Sequence, residues 1–160
     1  MKKICLFTIL IFTLSLVQAN GKADTYKLLS PDRTMELAVD LAESISWSIK
    51  SDNRVIVSSP AIALELESHG ILGQSPRLVK SYKRSVKSVV NAEFYKKSKI
   101  EEVYNELTLE FKGKFSLVFR MYDAGMAYRF ETSLPKDVIV KSETINFDFP
   151  EAKQAYVPYI

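Results

Sequence analysis

Residues 115–130 read FSLVFRMYDAGMAYRF, and they decide the fold class. Phe115, Leu117, Phe119 and Met121 recur at every second position, the period that places side chains on one face of a strand rather than on one stripe of a helix. Asp123-Ala124-Gly125 then reads as a tight turn, with Gly125 supplying a permissive backbone. Met126, Tyr128 and Phe130 resume the alternation on the far side. The stretch is therefore a β-hairpin with an apolar, aromatic-rich face. Arg120 and Arg129 flank its turn and are expected to pair across strands with carboxylates, as structural salt bridges on a sheet.

The same period extends outward in both directions. Leu107, Leu109 and Phe111 precede the turn Lys112-Gly113-Lys114. Nearer the start, Met35, Leu37, Val39 and Leu41 alternate with Glu36, Ala38 and Asp40. Ile45, Trp47 and Ile49 alternate with serines and Lys50, and Ile62, Leu64 and Leu66 continue the pattern. Ser30-Pro31-Asp32 and Ser51-Asp52-Asn53 supply further turns. Ile145, Phe147 and Phe149 form a last alternating set before Pro150. In the stretch from Arg77 to Val90, Leu78, Tyr82, Val86 and Val90 lie four apart and share a face in either a strand or a helix. Its Ser and Val content favours strand. The expectation is all-β, an antiparallel β-sandwich.

The first nineteen residues have the pattern of a secretory signal peptide: Lys2 and Lys3, an apolar run from Ile4 to Val17, and a Val17-Gln18-Ala19 cleavage site. Export to the periplasm or beyond the cell follows as an expectation. The apolar run is short for a bilayer span, so no membrane anchor is expected. Cys5, the one cysteine, lies inside this run, and the 141 residues from Asn20 onward hold none. A disulfide is excluded there, and stability must come from a hydrophobic core.

Of the 160 residues, 47% are hydrophobic and 26% are charged, a balance that excludes a disordered or collagenous chain. The formal charge is +3, and without Lys2 and Lys3 there remain 20 basic against 19 acidic residues. So balanced a chain has no general attraction for nucleic acid or anionic membrane. One asymmetry stands out: between Arg77 and Lys99 there are eight basic residues and a single acid, Glu93, interleaved with Tyr82, Phe94 and Tyr95. The acidic stretch from Glu101 to Glu110 follows at once, and pairing of the two across strands is the favoured reading over nucleic-acid binding.

Most catalytic constellations fail on residue count. His69 is the one histidine and sits in a turn-like Ser68-His69-Gly70, where an exposed loop position is expected. With no cysteine beside it, zinc clusters and Cys/His pairs are excluded. The five glycines are too scattered for a phosphate loop. Glu101, Glu102, Glu106 and Glu110 are dense enough to raise the question of a glycosidase carboxylate pair. Glu106 and Glu110 fall on the polar side of a strand, however, and a solvated sheet face is expected for them.

Tyr95, Lys97 and Ile100, then Tyr104-Asn105-Glu106-Leu107-Thr108-Leu109, and above all Phe119 through Phe130 resemble the N-terminal domain of glycoside hydrolase family 97. Leu29-Ser30-Pro31-Asp32 before a strand fits as well, and the resemblance runs from about Tyr26 to Pro150. It implies an exported hydrolase of α-glucosides or α-galactosides, in which a β-super-sandwich of the galactose-mutarotase type precedes a (β/α)₈ barrel and a small C-terminal β domain.

In that family the catalytic acids belong mainly to the barrel, and a calcium ion is held by glutamates near the substrate. No catalytic, cofactor-binding or metal residue transfers to this sequence, and calcium is expected only in the full-length protein. Residues 20–160 are expected to form a partial, incomplete N-terminal sandwich, inactive without the barrel. The alternatives are a free-standing carbohydrate-binding sandwich or a module docking onto a separate barrel. Trp47 alternates with Ser46 and Ser48 as a core residue does, which argues against its stacking on sugar.

Overall fold

The computed structural model describes residues 24–93 and 96–150. The expected leader of residues 1–19 and the residues Phe94 and Tyr95 lie outside that range. Every element within it is a strand: β1 (Asp24–Leu29), β2 (Met35–Leu41), β3 (Ile45–Ser51), β4 (Arg54–Leu66), β5 (Gly70–Leu72), β6 (Leu78–Asn91), β7 (Lys99–Phe111), β8 (Phe115–Tyr122), β9 (Gly125–Thr132) and β10 (Val140–Ile145).

The deciding hairpin is β8–β9, with Tyr122 opposite Gly125 and Leu117 opposite Phe130. It belongs to a four-stranded sheet in the order β6-β7-β8-β9. The other sheet runs β1-β2-β3-β4-β10, with β5 beside β4, and every strand pair in both sheets is antiparallel. The sheets face each other through one continuous apolar cluster. The six-stranded sheet contributes Leu37, Val39, Ile45, Trp47, Ile62 and Leu66, and the four-stranded sheet Leu107, Leu109, Leu117, Phe119 and Met121. These are the residues that the period-2 reading assigned to inward faces. The strand reading of the stretch from Arg77 to Val90 holds from Leu78 onward, since β6 pairs with β7 from Leu78 to Asn91.

The turns follow from local chemistry. Asp52 and Asn53 adopt φ of 49° and 61°, the paired left-handed conformation that closes a two-residue hairpin. Gly73 is held at φ 97°, and a Cβ there would stand 2.7 Å from the Ile62 carbonyl oxygen. Pro60 lies inside the long β4 without breaking it. Ile45 pairs with Ile62 while Trp47 pairs with Ser59, so Pro60 and Ala61 together oppose Ser46. Proline is tolerated in a sheet at such a bulge, because the extra residue takes no part in the ladder.

The last expected alternating set, Ile145, Phe147 and Phe149, does not form a strand. β10 spans Val140–Ile145 and ends where that set begins, leaving Phe147 and Phe149 each 56% exposed. Beyond Ile145 an isolated bridge joins Ser58 and Asp148, and Phe147 leans edge-on against Trp47 at 6.0 Å. Alternation continued past the point where a partner strand could use it.

A candidate site on β7: an ion cluster and a cleft

Glu106 is the side chain that chemistry would single out. The register sets Arg84 of β6 and Arg120 of β8 directly opposite it on either side. Arg84 Nε donates to Glu106 Oε1 at 2.5 Å, and Arg120 Nε donates to Oε2 at 2.8 Å. Glu106 is only 3% exposed. This corrects the expectation of a solvated sheet face. The alternating pattern marked the side of β7 away from the core, but in a central strand that side is roofed by long side chains from both neighbours. Tyr104, Thr108 and Val118 are buried on this outer side too, and the Arg120 guanidinium lies 4.4 Å from the Tyr104 ring centre.

Burial pushes the Glu106 carboxyl up, and the hydrogen bonds and charges of Arg84 and Arg120 more than offset it, leaving the pKa below the ordinary value. A carboxylate held ionised, with both oxygens engaged by guanidinium groups, cannot serve as a general acid near neutral pH. Glu106 is a structural tie between three strands. Arg120 thus pairs across strands as expected. Arg129 does not: its partner is Glu131 on the same strand, at 2.6 Å, because residues two apart share a face.

The remaining expected positions scatter. His69 is exposed, with its Nδ1 3.0 Å from Ser68 Oγ. Glu101 is exposed, while Glu102 and Glu110 are half-buried in register with Ser88 and Lys80. Trp47 is 3% exposed, in the core. Among the described residues no group of three or more His, Cys, Asp or Glu side chains could hold a metal ion.

A second feature joins the two sheets. Asn105 Nδ2 donates to the Leu29 carbonyl at 2.9 Å, and Ser85 Oγ donates to Asn105 Oδ1 at 2.6 Å. On one side of this tie lies a cleft of about 440 Å³ bordered by Pro31, Arg33, Val86 and Lys87. On the other a cleft of about 450 Å³ is bordered by Lys27, Glu36, Lys83 and Arg84. Nearby, the two turns quoted in the sequence meet. The Asp32 backbone N–H donates to Asp123 Oδ1 at 2.9 Å. The Asp32 carboxylate accepts from Ser30 Oγ at 2.6 Å and from the Thr34 backbone at 3.0 Å, which hold its pKa below the usual range. Ser30 is fully buried. The short polar motif before β2 is thus a structural staple.

Comparison with known proteins agrees with this geometry. The family model described as Glycosyl-hydrolase 97 N-terminal matches residues 28–160. A retaining alpha-galactosidase of Bacteroides thetaiotaomicron is 28% identical over 160 residues, covering 100% of this chain and 24% of that protein. The chain therefore spans about a quarter of that curated relative's length. Among solved structures, a glycoside hydrolase family 97 enzyme from Pseudoalteromonas sp., in complex with panose, superposes with a TM-score of 0.66 at 20% identity, over 78% of this chain and 20% of that one. A beta-arabinopyranosidase superposes with a TM-score of 0.67 at 23% identity, over 79% and 21%. These structural likenesses speak for the fold.

Proposed function

The chain belongs to the glycosyl-hydrolase 97 N-terminal family, and on that premise we propose that it is the carbohydrate-associated N-terminal β-sandwich portion of an exported glycoside hydrolase acting on α-glucosides or α-galactosides. The observation that carries the reading is the match of this whole chain to the retaining alpha-galactosidase. The chemistry of the described residues is consistent with a supporting role. Among the described residues the one buried carboxylate, Glu106, is locked between two arginines, whereas glycoside hydrolysis needs an acid that donates a proton and a second carboxylate facing the sugar. Cleavage, and any calcium, belong in this reading to a barrel carried by the longer protein. Export rests on the pattern of residues 1–19, and the mature chain begins at Asn20.

A chimera tests the role. The matching segment of the Bacteroides thetaiotaomicron alpha-galactosidase is replaced by residues 20–160 of this chain and compared with the same enzyme lacking the segment. The expected result is hydrolysis of p-nitrophenyl α-galactoside by the chimera alone. A folded chimera as inactive as the deletion would overturn the proposal, and so would turnover by the 160-residue chain unaided. N-terminal sequencing of protein secreted from a Gram-negative host checks the Asn20 start.

A further inference from the structure

We draw no further inference here: the strongest candidate, the basic groove formed by the two clefts on either side of the Asn105–Leu29 tie and bordered by the exposed Lys27, Arg33, Lys83 and Lys87, belongs to a chain that spans 24% of its curated relative, and nothing in the structure shows what covers it.

Discussion

Glu106 shows how an environment sets the job of a carboxylate. Removing its charge leaves Arg120 facing a neutral group inside the roof of β7, whereas Arg84 reaches solvent, its side chain being 56% exposed against 23% for Arg120. Glu106→Gln is therefore expected to cost about 3 kcal/mol in urea unfolding, the scale of breaking a buried pair by one partner. Arg120→Ala should cost more than Arg84→Ala, whose bond faces water and is screened by it. Because the folded-state pKa of Glu106 lies below its unfolded value, its contribution is complete above the unfolded pKa and is lost as pH falls through the folded one. The gap in Tm between wild type and Glu106→Gln should accordingly narrow on acidification below about pH 4.5, and a gap independent of pH would contradict this. Gly73 makes a second residue-level case. Gly73→Ala forces a left-handed alanine and a Cβ 2.7 Å from a carbonyl oxygen, and should lower stability by about 1–3 kcal/mol in the same measurement.

Elements are where the sequence was most legible. Period-2 alternation identified both apolar faces and the hairpin turns, and serine with valine tipped the stretch from Arg77 to Val90 toward strand, because side-chain parity survives whatever the neighbours are. What parity cannot show is who the neighbours are. The burial of Glu106 depends on Arg84 and Arg120 arriving from two other strands, so no local pattern reveals it. The exposure of Phe147 and Phe149 depends likewise on β10 ending at Ile145, where the alternating set begins. The bulge at Pro60 and Ala61 left a signal of its own, a proline inside an apolar alternation, and it sets the parity of everything after it. Deleting Ala61 should slip Ile62, Leu64 and Leu66 to the wrong face, with a loss of about 4 kcal/mol or more. Pro60→Ala, which keeps the residue count, should cost little. Thermal unfolding followed by circular dichroism separates these outcomes.

At the scale of the whole molecule, one apolar cluster spans both sheets, so neither sheet has a core of its own to keep when the other is lost. Trp47 is the single tryptophan and is buried in the six-stranded sheet, which makes it a reporter for that layer alone. Its fluorescence transition in urea should coincide with the far-ultraviolet transition of the entire chain, and two separated midpoints would mean that the layers melt independently. The meeting of Asp32 with Asp123 carries this unity into time. The two residues are 91 positions apart, so most of the sandwich lies between them in sequence, and contacts of such separation tend to arrive late on the folding route. A fastener that closes after the barrier slows escape without hastening arrival. Asp123→Ala should therefore steepen the loss of the native state in stopped-flow unfolding while leaving the refolding arm of the chevron where it was.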